Sequence, residues 1–210
     1  MDSREALIAL NLVPEIGPVR LSRLLDYFGE PQKILGASER ALMAVDGVGA
    51  KASAKISQWE EVVELDKELR RIDEFSCTIL ILSDENYPSL LRQIYDPPHV
   101  LYVKGQIKAT DDCSIAMVGT RQSTLYGRQV AKKLAGQFAA SGVTVVSGGA
   151  RGIDSASHEG ALDVEGRTIA VLGTGMDIIY PSENVSLFQR ISEQGAVITQ
   201  FPFGRKGNKY

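Results

Sequence analysis

Apolar residues follow two rhythms along this chain. Through the first quarter they recur every three or four positions, as on one face of a helix. From about residue 77 they gather into short runs separated by glycine turns and longer helical stretches. Residues 4–12 and 19–28 read as helices around the break Val13-Pro14-Glu15-Ile16-Gly17-Pro18. Residues 39–45 and 50–56 repeat that plan around Asp46-Gly47-Val48-Gly49, a faint internal duplication. Residues 58–76 interleave acids with bases and predict a solvated linking helix, packed through Trp59, Val62, Val63, Leu69 and Ile72. Two short strands follow, 77–82 and 99–103, with a turn and a helix opening at Pro88 between them.

The stretch from Ser114 to Asp154 organises the rest. An apolar run (115–118) breaks at Gly119 into a polar loop, and a helical pattern opens after Leu125. In it Tyr126, Val130, Leu134 and Phe138 fall four apart, with Ala131, Ala135 and Ala139 beside them. Gly142 stops that helix. A second strand (143–146) breaks into Ser147-Gly148-Gly149-Ala150-Arg151-Gly152, and Asp154 is the expected N-cap of the next helix. A helix over 154–162, a strand over 168–172, the turn Gly173-Thr174-Gly175, a helix over 185–194 and a strand over 196–199 complete the pattern. Alternation of this kind predicts an α/β fold, a parallel sheet covered on both faces, with the glycine turns at the ligand-binding ends of its strands.

Glycine loops that open helices suit anions, because backbone N–H groups and the positive helix end face the ligand. Each of the first two loops also carries an arginine, Arg121 and Arg151, the side chain that fits phosphate oxygens. Taken singly, either loop is equally well read as a tight turn beside a solvated arginine; two on neighbouring strands favour a phosphate site. Charge supports the same place. The whole chain carries a net −3, yet residues 114–160 hold five Lys/Arg against two Asp/Glu. A local basic pocket on an acidic protein is compatible with a polyanion.

Several chemistries find no support. There is no G-x-x-x-x-G-K-[ST] loop, and Gly119 and Gly127 stand too far apart for a dinucleotide fingerprint, so no cofactor is expected. His158 lacks a partner at metal-ligand spacing, and Ser147 and Ser155 lack a convincing Ser/His/Asp order, so neither a metal nor a catalytic residue is assigned. His158 is read as orienting backbone or capping a helix, and His99 as a packing residue. Two isolated cysteines and the lack of a membrane-spanning apolar run suggest a reducing, cytoplasmic setting.

These residues together resemble the DprA/Smf family (DNA-processing protein A). The resemblance rests on Val118-Gly119-Thr120-Arg121 with Ser123, Thr124, Tyr126 and Gly127, and on Ser147 to Asp154 with His158, Gly160, Ala161 and Leu162. Gly173-Thr174-Gly175 with Tyr180-Pro181 and Asn184 also fit, as do Tyr87-Pro88, Asp96-Pro97-Pro98 and 101–105 upstream. It implies a Rossmann-like DNA-binding domain over 66–210, preceded by a small all-α helix-hairpin-helix/SAM-like domain over 1–65. The glycine turn of the second hairpin, with Lys51 and Lys55, is one place such a domain could touch DNA; packing against a partner is the other reading.

The implied activity is non-enzymatic: binding single-stranded DNA, protecting it and helping to load RecA recombinase during natural transformation, usually as a homodimer. A nucleotide-binding or nucleotide-hydrolysing enzyme on a related fold is the alternative. The implied DNA-phosphate site is Gly119, Thr120, Arg121, Ser123, Ser147, Gly148, Gly149 and Arg151, with Gly173 nearby. Three departures stand out. Thr120 replaces the usual serine, Gln200 replaces the usual glutamate, and the sequence stops at Tyr210, where the family continues. The expectation is therefore an incomplete sheet domain with some cationic contacts and much of the dimer surface missing.

Overall fold

A computed structural model describes residues 1–207; the last three residues of the basic tail lie outside the described part. The first helix, α1 (Ser3–Leu12), is held at its start by a reciprocal cap. Asp2's carboxylate accepts the Glu5 N–H, and Glu5's carboxylate accepts the Asp2 N–H. Helix α2 (Pro18–Phe28) opens on a proline, whose missing N–H would have been unpaired there anyway. Then come α3 (Pro31–Leu35), absent from the sequence expectation, α4 (Glu39–Leu42), α5 (Ala50–Ser57), α6 (Trp59–Val62) and α7 (Leu65–Glu74).

The single linking helix expected over 58–76 is broken. Val63 is extended (φ −124°, ψ 145°), which lets Val63 and Leu65 turn toward the core. Nor is that segment solvated throughout. Glu68 is buried and accepts from the Tyr102 hydroxyl (2.8 Å) and the Phe203 N–H (3.0 Å), and burial raises its carboxyl above the usual range.

The rest alternates: β1 (Thr78–Ile81), α8 (Ser89–Arg92), β2 (Val100–Gly105), β3 (Ser114–Ala116), α9 (Leu125–Ala140), β4 (Thr144–Ser147), α10 (Ile153–Leu162), β5 (Thr168–Val171), α11 (Val185–Gln194) and β6 (Ala196–Thr199). The six described strands form one sheet in the order β1-β2-β6-β5-β4-β3. The expected α/β fold is present, and β3 to β6 are parallel, but β2 runs antiparallel to both β1 and β6. The reason is length of helix. Between β1 and β2 only the four-residue α8 forms, too little for a crossover, so the chain returns as an antiparallel neighbour.

Coverage also departs from a helix layer on both faces. Strands β3 to β6 stand in sequence order, so right-handed crossovers lay α9, α10 and α11 on the same face. Val100 and Tyr102 continue that face into the N-terminal helices, and the core runs without interruption from Ala6 and Leu10 to Ala170 and Val197. The opposite face is closed by Tyr87, Leu91 and Ile107, which pack on Leu80, Leu101, Val103 and Ile198. Toward β3 that cover ends, leaving Val171 and Val118 exposed.

Candidate nucleic-acid interface

Two strand-to-helix loops, 117–124 and 148–152, lie side by side because β3 and β4 are parallel neighbours. The first closes on Thr124, whose hydroxyl accepts the Gly127 N–H (3.0 Å) and caps α9. The second ends on Gly152, with φ 86°, a conformation that disfavours any side chain. A Cβ there would also strike the backbone carbonyl of Thr120. The loops thus meet backbone to backbone, and the Ile153 N–H donates to the Thr120 carbonyl (3.3 Å).

Asp154 is not the N-cap; Gly152 is. The Asp154 carboxylate, buried in the first turn, instead accepts the N–H groups of Gly119 and Ala150, each at 3.4 Å. It stitches the loops together and draws inward backbone donors that the sequence suggests would face a ligand. Ser147 is likewise structural in its contacts, its hydroxyl buried and donating to the Met117 carbonyl (2.7 Å). Gly149 lies against the Phe188 ring, where a side chain would collide. Ser147 and Gly149 are therefore buried framework of the loops, whereas Gly119 and Gly148 remain exposed. Thr120 is exposed, its hydroxyl accepting the Gln122 N–H (3.2 Å).

In front of that frame, Arg121, Ser123 and Arg151 come together in one open cleft with Arg128, Lys132 and Glu183. Among the described residues, Arg121 and Arg128 make no ion pair. Arg151 is held edge-on by Glu183 (Nη2 to Oε2, 3.0 Å), and Lys132 is held by Asp163 (2.7 Å). The Ser123 hydroxyl is buried without a hydrogen-bond partner. Gly173 does not line this cleft. It is exposed at the end of β5, and the turn behind it is tied elsewhere: Gly175 donates to the Arg205 carbonyl (2.9 Å), and Asp177 pairs with Arg71 (2.7 Å). Arg128 and Lys132 escaped the sequence reading, although their i, i+4 spacing on one helix face was a usable signal. Glu183 left no such trace, because 32 residues separate it from Arg151.

His158 neither caps a helix nor faces the cleft. It is fully buried on α10, its Nδ1 2.7 Å from the Thr168 hydroxyl, which also donates to the Val145 carbonyl. Burial pushes its pKa from 6.5 down to about 4. The folded state thus refuses a proton that the unfolded chain accepts, and stability should fall as pH drops from 6.5 toward about 4. The loss at the acid end should be on the order of 3 kcal/mol. Urea titrations at several pH values check this: His158→Gln should show a flatter pH dependence than the parent protein over that window, and an equal slope would refute the assignment.

The N-terminal hairpins offer less positive charge than their sequence suggests. Glu15 pairs with Lys51 (2.7 Å) and Lys55 (3.7 Å), and these lysines hold its carboxyl below the usual range. The Gly47 carbonyl accepts from Arg20 (2.9 Å), and Arg23 pairs with Asp46 (2.8 Å). Among the described residues there is no cluster of His, Cys, Asp and Glu that could hold a metal, and no helix long and apolar enough to cross a membrane.

Comparison with known proteins points one way. The sequence model of DNA recombination-mediator protein A matches residues 78–210. Protein Smf of Synechocystis is 36% identical over 203 residues, covering 95% of this chain and 51% of that protein. DNA processing protein DprA of Bacillus subtilis is 35% identical over 162 residues, covering 76% and 54%. The chain thus spans about half the length of these relatives. Among solved structures, DprA from Streptococcus pneumoniae superposes with a TM-score of 0.80 at 25% identity, covering 99% of this chain and 71% of that one. DprA from Helicobacter pylori, described for its single-stranded DNA binding mode, gives 0.56 at 33% identity, covering 64% and 60%.

Proposed function

Since the chain belongs to the DNA recombination-mediator protein A (DprA/Smf) family, we propose that it binds single-stranded DNA by its phosphates in the arginine cleft. The observation that carries this reading is the convergence of Arg121 and Arg128, neither ion-paired among the described residues, with Arg151 in one open cleft. Guanidinium groups carried on two loops and a helix can track successive phosphates while leaving the bases accessible. In this reading Gly119, Thr120, Ser147, Gly148 and Gly149 shape the pocket, and Gly173 stands outside it. The cytoplasmic role is to protect the strand and pass it to RecA recombinase during natural transformation, with a homodimer as the working form. No covalent step belongs to it. Of the nearby acid–base groups, the Asp154 carboxylate is taken up by the two loops and His158 is buried against Thr168, away from the cleft.

Fluorescence anisotropy with a labelled oligothymidylate tests the cleft. Arg121→Ala and Arg128→Ala should each weaken binding by roughly 1.5–3 kcal/mol. Each should also make the dependence of affinity on salt less steep, by about one unit of slope or slightly less. Unchanged affinity in both variants, with unchanged circular dichroism, would refute it. ATP incubated with the protein should release no phosphate; release abolished by Arg151→Ala would favour a nucleotide hydrolase instead.

A further inference from the structure

Arg151 carries the second glycine loop's charge, yet its guanidinium is already occupied. Glu183 engages it through two hydrogen bonds, Nε to Oε1 and Nη2 to Oε2, as a phosphate would. Glu183 is also held in place. It sits in a short 3-10 turn (Ser182–Asn184), and the neighbouring Asn184 amide donates to the Gly149 carbonyl (2.9 Å) and the Ser155 hydroxyl (2.7 Å). That turn is therefore pinned to the very loop that bears Arg151. Both partners remain about half exposed, 57% and 51% of their side chains, so the bridge is solvent-screened and easily exchanged.

We propose that Glu183 is a built-in competitor for the phosphate site, an anion the chain supplies to itself and that an incoming strand displaces from Arg151. The inference rests on the DNA reading of the cleft. A single small anion would meet Arg151 already satisfied and gain little. A strand anchored by other phosphates on Arg121 and Arg128 presents its next phosphate at high local concentration and takes over the guanidinium. Glu183 would thus bias the cleft toward polymeric over monomeric phosphate. Glu159, the other acid lining the cleft, has its carboxylate 3.8 Å from the Lys132 ammonium rather than on an arginine and is not a competitor of this kind.

A double-mutant cycle reads the effect directly, using the 210-residue chain, a labelled 20-nucleotide oligothymidylate and inorganic pyrophosphate as a small-anion competitor. Glu183→Gln should tighten DNA binding about threefold, the order expected for releasing an exposed pair. The same substitution in an Arg151→Ala background should change it by less than about half that factor, because no bridge is left to release. Pyrophosphate should also displace the strand from Glu183→Gln at lower concentration than from the parent. Unchanged or weaker binding by Glu183→Gln would overturn the proposal. So would an equal gain in the Arg151→Ala background, since that would be general electrostatics rather than competition. If Arg121→Ala and Arg128→Ala weaken binding while the cycle shows no coupling, only this inference fails. If neither arginine substitution matters, the cleft reading fails with it.

Discussion

Replacing Gly160 by valine is expected to remove about 3 kcal/mol or more of stability, lowering the melting temperature by roughly 6–12 °C for a chain of this size. By helix propensity alone the change should help, since glycine inside a helix costs about 1 kcal/mol relative to alanine. Packing reverses the sign. Gly160 lies buried in the last turn of α10, where a Cβ would run into the backbone carbonyl of Lys132 on α9. Opposite it, a Cβ on Gly136 would stand 3.0 Å from the Gly160 carbonyl oxygen. Neither obstacle is a side chain that can swing aside, so the helices must separate. Because α9 carries Arg128 and α10 begins beside Arg151, the cleft should open as well. Gly160→Ala should fall between the parent and Gly160→Val in urea unfolding. A Gly160→Val protein as stable as the parent would mean the two helices are not in that contact.

Arg167→Ala should cost a similar amount, about 3 kcal/mol, by stranding a buried carboxylate. Asp111 is 7% exposed at its side chain. It accepts from Arg167 Nε (2.7 Å) and Nη2 (2.8 Å), the Thr144 hydroxyl (2.8 Å) and the Lys108 N–H (2.8 Å). Arg167 also donates to the carbonyls of Gln106 and Gln194, tying the entry of β3 to the edge of β5 and β6. Burial pushes the Asp111 carboxyl upward, but these hydrogen bonds, led by Arg167, outweigh it and hold the group below its ordinary range.

The pH dependence has a definite sign. In the parent, the Asp111 contribution is present above the ordinary carboxylate pKa and is lost as pH falls through the lower folded value. In Arg167→Ala, burial is no longer opposed by the guanidinium, so protonation relieves the stranded charge. The stability gap between the two proteins should therefore be widest near neutrality and narrow as pH falls toward about 4. Chemical denaturation at paired pH values decides it, and a gap that stays constant would show that Arg167 acts only through its packing.

Much of the fold was legible because it depends on local patterning. The six described strands and most of the described helices lie within a few residues of the apolar runs and helical repeats that predicted them. The expected helix over 58–76 failed at Val63, where tertiary burial of Leu65, Leu69 and Ile72 mattered more than the charge pattern. Along α9, the large apolar residues Tyr126, Val130 and Leu134 are exposed, while Ala131, Ala135, Gly136 and Ala139 are buried. The close approach to α10 selects small residues, so residue size rather than hydrophobicity marks the packed face.

What this sequence determined by itself was the alternation of strands and helices from residue 77 onward, the pairing of two glycine loops with Arg121 and Arg151, and the family. All of these are written in neighbouring residues, through periodicity, turn chemistry and a contiguous motif. Only the tertiary structure decided that β2 turns antiparallel, that Asp154 takes the N–H groups of both loops, that Arg128 joins the cleft from α9 and that Glu183 sits on Arg151. Each of those depends on where distant segments meet. Parallel strands bring their C-terminal loops together, and the charged groups that arrive there from elsewhere, Arg128 and Glu183, come from segments distant in sequence.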